Sequence, residues 1–289
     1  MERVTYKNDL GQTIEILYSL PYFFQGIEGM DGLNTDIQKF IAVGQDGTNI
    51  SNVRLLDRPI RLAGAIKGNT KEEIAQYRNK LLTVFNPKNK GTLIYEYGDV
   101  IRKIECYVES APVFKKMGKG FQLQAFIIDL ICPNPFLTDY YDTEINAISG
   151  ASAFRFPVAI SDAFVFGSFN ADGFVAQNDG DVECPLEITI GGPQTAPLEI
   201  LNSTTGEKIV IALNLTADEK LIITTAIEDM NVTKTTISTG IAESAFQYID
   251  VSQTEFFQLQ LGENNIVIKA NASDIGSATL KFRNRYVGV

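Results

Sequence analysis

Histidine and tryptophan are both absent from the 289 residues of this chain, and cysteine occurs only three times. Without histidine, no side chain has its ordinary pKa near neutrality, Ser-His-Asp and Cys-His arrangements are impossible, and the commonest metal ligand is missing. Cys106, Cys132 and Cys184 are scattered and odd in number, without CxxC spacing, which argues against a zinc site or a disulfide framework and for buried or incidental thiols. Basic residues are outnumbered 25 to 35, for a formal net charge of −10. That balance disfavours a nucleic-acid binder, which must neutralise phosphates with a basic surface. Long hydrophobic runs are missing too: the most apolar window, Ala125–Cys132, is too short to span a bilayer and carries Asp129, so no membrane insertion is expected. Met1–Leu20 mixes Glu2, Arg3, Lys7, Asp9 and Glu15 among its apolar residues, unlike a secretory signal, which predicts synthesis in a cytoplasm.

Chemistry-bearing motifs are equally scarce. There is no GxxxxGK[ST] sequence, no GxGxxG between a strand and a helix, and no GxSxG elbow; Gly44–Gly47 and Gly191–Pro193 read as turns. Carboxylate-pair glycoside hydrolysis survives the lack of histidine, and Asp179, Asp181 and Glu183 are the acidic cluster to test. Acidic residues in a glycine-containing loop are more often turn formers or solvated charges, so no catalytic, cofactor-binding or metal-binding residue is assigned and no cofactor is expected.

What is present is β-structure. Thr13–Tyr18, Val53–Leu56, Pro59–Ile66 and Thr92–Tyr97 are short β-rich runs bounded by Gly, Asn or Asp. Tyr97–Val100 reads as a tight turn between Leu93–Tyr97 and Ile101–Val108, and Met117–Gly120 as a second turn between Val113–Lys115 and the run from Phe121, giving two consecutive hairpins. One segment differs: Thr70 to Glu73 has capping-box spacing, Ile74, Tyr77, Leu81, Leu82 and Phe85 fall at helical intervals, and Pro87 closes the run. A single amphipathic helix over about residues 70–86 is predicted, with Glu72, Gln76, Asn79 and Lys80 on its solvated face.

Pro133 and Pro135 neither donate to a ladder nor favour helix, so Cys132–Asp139 is the best domain boundary, giving domains at 1–139 and 140–289. Beyond it strands recur about every ten residues: Leu186–Ile190, Leu198–Leu201, Lys208–Leu213, Lys220–Thr225, Ser238–Thr239, Phe256–Leu261, Asn265–Ala270 and Ala278–Tyr286. That cadence predicts a two-sheet sandwich or jelly roll. Such a fold raises sugar binding, which uses exposed Trp or Tyr rings. Here Trp is absent, and Phe154, Phe156, Phe164, Phe166 and Phe169 read as packing.

The order of segments resembles the siphophage distal tail protein family over nearly the whole chain. The features that carry it are a β domain with one helix, the junction Cys132-Pro-Asn-Pro-Phe136, Asn178–Asp181 followed by Pro185, the strand-turn-strand Leu198–Ile211, and the closing Phe256–Asn265. The resemblance implies a mainly β chain: an N-terminal ring-forming domain, sandwich or split-barrel-like, and a C-terminal galectin-like β-sandwich of jelly-roll type. It implies a homo-hexamer around a channel through which DNA passes without specific binding. It further implies docking to the tail tube protein, a tail-tip or tail-associated protein and a receptor-binding protein, in a virion assembled in the bacterial host cytoplasm. The chain lacks room for an inserted carbohydrate-binding module or large adaptor arm, and the family supplies no catalytic residues. A carbohydrate-binding module attaching a particle to a cell surface is the alternative, with a polysaccharide hydrolase third. For the ring contact, the stretch from Gly26, Gly29, Asp31 and Gly32 to Gly44, Asp46 and Gly47 is long for a hairpin connection and is the candidate inter-subunit loop.

Overall fold

The structure is a computed structural model that describes residues 2–116, 122–147, 173–270 and 277–289. The predicted turn at Met117–Gly120 and the Phe154–Phe169 aromatics lie outside the described residues. The chain divides into two compact units, one formed by Met1–Tyr140 with Tyr286–Val289 and the other by Tyr141–Arg285.

The first unit is built from β1 (Glu2–Asn8), β2 (Thr13–Ile16), β3 (Tyr22–Glu28), β4 (Thr35–Phe40), β5 (Asn49–Leu55), β6 (Arg58–Lys67), α1 (Lys71–Val84), β7 (Lys90–Tyr97), β8 (Val100–Lys116), β9 (Leu123–Cys132) and β10 (Leu137–Asp139). Its main sheet runs β2-β1-β7-β8-β9-β6-β3, antiparallel throughout, and the two ends of that order meet where Leu17 and Tyr18 bridge to Phe23. Strict alternation produces the core: in β9 every second residue from Gln124 to Cys132 is buried. The inward residues Val4, Tyr6, Leu62, Leu93, Ile104, Phe126 and Leu130 belong to one cluster with Ile74, Leu81, Val84 and Phe85 from the helix and its end.

The helix starts as its sequence predicts. Thr70 Oγ1 accepts from the Glu73 amide at 3.1 Å, and the Glu73 carboxylate accepts from the Asn69 amide at 2.8 Å. Leu82 is the exception to the predicted apolar face: it is exposed, and Val84 is buried in its stead. Glu72, Gln76, Asn79 and Lys80 are exposed as expected. β8 runs unbroken to Lys116 where two separate strands were predicted. It absorbs Ala111 and Pro112 as register shifts between Val108 and Val113, which leaves the proline without a ladder donor to supply.

The second unit is a sandwich. Its first sheet joins β11 (Thr143–Ala147), β13 (Leu186–Gly191), β16 (Glu219–Thr224), β17 (Asn231–Thr236), β18 (Ala242–Ser244) and β20 (Ser277–Phe282); its second joins β12 (Phe174–Asn178), β14 (Leu198–Asn202), β15 (Lys208–Ile211) and β19 (Gly262–Lys269). Residues from both sheets, among them Ile188, Leu221 and Leu280 from the first and Ile200, Ile211 and Ile266 from the second, form one buried cluster. The chain closes with β21 (Arg285–Tyr286).

Two predicted strands are not strands. Ser238–Thr239 lie in the turn between β17 and β18, where the Ser238 amide donates to Asp218 at 3.0 Å. Phe256–Leu261 is extended but forms one isolated bridge rather than a strand: Leu259 and Cys184 exchange backbone bonds at 2.8 and 3.1 Å, Asn178 Nδ2 donates to the Leu259 carbonyl at 3.1 Å, and Asn264 exchanges bonds with the Gln260 backbone at 2.7 and 3.0 Å. β17 was not predicted, because Asn231–Thr236 carries only one fully buried apolar residue, Val232.

At one edge Glu219 accepts from the Thr216 amide and hydroxyl at 2.9 and 3.0 Å and from Lys234 Nζ at 2.9 Å. The Thr216 amide, then Lys234, hold its carboxyl down at about 2, against 4.5 for a free glutamate. A folded value below the unfolded one contributes stability above about pH 4.5 that is lost as pH falls through 2. Glu219→Gln is expected to cost about 1 kcal/mol at pH 7 after solvent screening. In thermal melts the two proteins should converge toward pH 2; a gap that stays constant with pH would contradict the assignment.

All three thiols are free and fully buried, and a hydrogen bond with Cys132, then burial, raises the Cys106 thiol. A maleimide should therefore label none of them in the native protein and all of them in denaturant, read by intact mass; rapid native labelling would refute this.

Candidate assembly surface

The stretch predicted as a loop is a projecting ribbon. After β3 the chain turns through Gly29–Asn34, and β4 and β5 pair only with each other, Thr35 opposite Leu55 and Ile37 opposite Val53, with a bulge that brings Lys39 opposite Ile50. Directly opposed residues share a face and alternate residues return to it, so Ile37, Ile50, Val53 and Leu55 form an apolar stripe on one side. The other side carries Gln38, Asn52, the Asp36–Arg54 ion pair at 3.3 Å and, toward the tip, exposed Phe40, while Thr35 and Lys39 share the side of the stripe. The stripe is uncovered within the chain: Ile37, Ile50, Val53 and Leu55 are 42, 59, 57 and 38% exposed. A two-stranded ribbon is marginal by itself in water, and this one leaves its apolar side chains exposed among the described residues. At the tip Gly44 and Gly47 take positive φ, Gln45 bonds Asn49 side chain to side chain at 2.8 and 3.1 Å, and Ile41 and Val43 are exposed.

The root of the ribbon is as ordered as its blade is bare. Leu56 N–H donates to the Asn34 carbonyl at 2.9 Å, and Met30 is buried in the core. Arg58, the first residue of β6 after the ribbon, is 1% exposed and donates to three carbonyls, of Gly29, Pro135 and Val287, each at 2.6 Å. Burial lowers its pKa, yet an arginine remains protonated, and charge-assisted bonds of this length are strong. Gly29 has φ +90, and a Cβ there would collide with the Pro59 carbonyl. Nearby, Arg102 pairs with Asp139 at 2.6 Å and lies over the Tyr286 ring at 3.6 Å.

The seven residues singled out from sequence thus fall in three places. Gly26 lies within β3 at its bulge against β6; Gly29, Asp31 and Gly32 form the ribbon root; Gly44, Asp46 and Gly47 form the tip. The sequence reading missed the stripe, because Thr35–Phe40 lacks clean alternation, and it missed Arg58, for which a lone arginine before Pro59 gives no signal. Asp179, Asp181 and Glu183 are exposed on a turn organised by Asn178, whose Oδ1 accepts from Gly180 N–H at 3.0 Å. Among the described residues no cluster of three or more His, Cys, Asp or Glu side chains could hold a metal ion, and no helix is long and apolar enough to cross a membrane.

The sequence of each unit carries a family match. Residues 10–132 match the family described as phage tail protein RIFT-related domain, and residues 179–286 match that described as siphovirus-type tail component, C-terminal domain. The fold and these two matches make the chain a siphovirus-type phage tail component. It belongs to the siphophage distal tail protein family, and is a structural component of the virion. No curated protein matches it in sequence. Among solved structures it is similar to the distal tail protein of phage SPP1, described as a paradigm of the hub adsorption apparatus in phages infecting Gram-positive bacteria, with TM-score 0.68 and 12% identity over 98% of both chains. It is also similar to chains of the phage P2 baseplate in its activated conformation, with calcium (TM-score 0.56) and with strontium (0.55), each at 13% identity over 100% of both chains.

Proposed function

We propose that the chain forms a homo-hexameric hub ring in the baseplate, between tail tube and tail tip, built by the first unit around a channel for DNA. The galectin-like second unit projects outward to dock tip or receptor-binding proteins. Family membership supports the hub role, and the observation that carries the contact is the uncovered stripe of Ile37, Ile50, Val53 and Leu55. In a closed ring each ribbon lies stripe-down on the next copy, a heterologous contact that repeats around the axis. The net charge of −10 per subunit suits a channel wall that does not hold a passing polyanion. The protein acts by geometry rather than as an enzyme.

Light scattering over a dilution series, followed by negative-stain images, tests this. A six-subunit particle with a central hole, alone or with the tail tube protein, is expected. A protein that stays monomeric with its tube and tip partners, and that is retained by purified cell-wall glycan, would replace the hub with a carbohydrate-binding module.

A further inference from the structure

The two ends of the ribbon and two distant segments of the chain meet at one guanidinium. Arg58 closes the ribbon on its exit side and holds Gly29 on its entry side, so its Nη1 bond pins both ends of the excursion together. Its Nε takes Pro135, in the junction before the second unit, and its Nη2 takes Val287, in the segment that returns to the first unit after it. That returning segment is fitted closely. A Cβ on Gly288 would collide with the Asp31 carbonyl, in the ribbon root itself, and Tyr286 donates to Asp139 at 3.3 Å and covers Arg102.

We propose that Arg58 and the Tyr286–Val289 segment are a latch that positions the ribbon: Val287 occupies the third acceptor site, Gly288 abuts Asp31, and together they fix the angle at which the blade leaves the first unit. Arg58 is a positioning residue, since none of its bonds reaches the stripe. Removing the returning segment leaves the blade formed but hinged at Gly29–Asn34, a stretch whose Gly29 and Gly32 permit many conformations. The consequence for ring assembly rests on the ribbon contact proposed above; the latch itself does not.

The test is hydrogen exchange by mass spectrometry on the dilute full chain, comparing wild type with Gly288→Val and Arg58→Lys, the latter keeping the charge but unable to span three carbonyls. The reporter is the Leu56 amide, bonded to Asn34 at the root. It is expected to exchange faster by about ten-fold or more in both variants, while peptides covering Lys90–Tyr97 and Leu186–Gly191 keep wild-type protection. An unchanged root, or an acceleration shared equally by Lys90–Tyr97, would overturn the latch, the second because it shows general loss of stability. Light scattering of the same samples separates the two ideas. If wild type assembles and the variants need higher concentration, the latch serves assembly; if wild type fails to assemble with its partners, the ring contact fails while the exchange result still decides the latch.

Discussion

Replacing Ile37 and Val53 together with aspartate is expected to abolish hexamer formation while leaving the folded chain intact. The two side chains are directly opposed at the centre of the stripe and both are exposed in the single chain, so the isolated protein loses little. The opposed carboxylates repel by up to about 1 kcal/mol, but that loss is confined to the ribbon and leaves the core of the first unit untouched, so the melting temperature should move little. In a ring, by contrast, two carboxylates would be driven into a contact that strips their water, at a cost of several kcal/mol per interface repeated at each junction. Scattering should therefore report monomers at concentrations where wild type is fully assembled. Retention of rings by the double variant would remove the ribbon from the subunit contact. The polar-face pair Asn52→Asp and Gln38→Glu serves as the control, adding the same charge on the other side with far smaller effect.

Arg58→Ala is expected to be the most damaging single change in the first unit. It deletes a fully buried cation and takes the donor from three carbonyls at once, those of Gly29, Pro135 and Val287. Each buried acceptor left without a donor costs about 1–3 kcal/mol, for a summed loss of about 3–5 kcal/mol. Chemical denaturation should show the loss in the transition of the first unit, with that of the second unit unmoved. A loss below about 1 kcal/mol would mean that the carbonyls find other donors. The effect differs in kind from Arg58→Lys, which retains the charge and loosens only the root.

The regular parts of this fold were legible because they obey simple periods. The α1 helix announces itself by Thr70, Glu73 and a 3.6-residue apolar spacing, and β9 by its unbroken alternation. Legibility fails where side chains add to or replace backbone pairing. Phe256–Leu261 looks like a strand but has a single backbone bridge, Leu259 to Cys184, and is otherwise held by Asn178 and Asn264, and Ser238–Thr239 looks β-prone yet turns because Asp218 accepts its amide. The assembly surface failed for another reason. A ribbon without a core behind it shows only half an alternation, and its glycine-rich root and tip dominate the local composition, so Gly26 to Gly47 reads as one loop. Arg58 was invisible because its role depends on Pro135 and Val287, which no local window places beside it.

The return of Tyr286–Val289 to the first unit also sets an order of manufacture. A bacterial ribosome adds residues at about 5–20 per second, and the nascent chain offers Met1–Tyr140 long before Val287 exists. All of Tyr141–Arg285 must emerge first, so the second unit can fold while the first still waits for its last segment. A chain broken off within the second unit never acquires the third acceptor for Arg58, so its first unit is left without the bond that Val287 supplies.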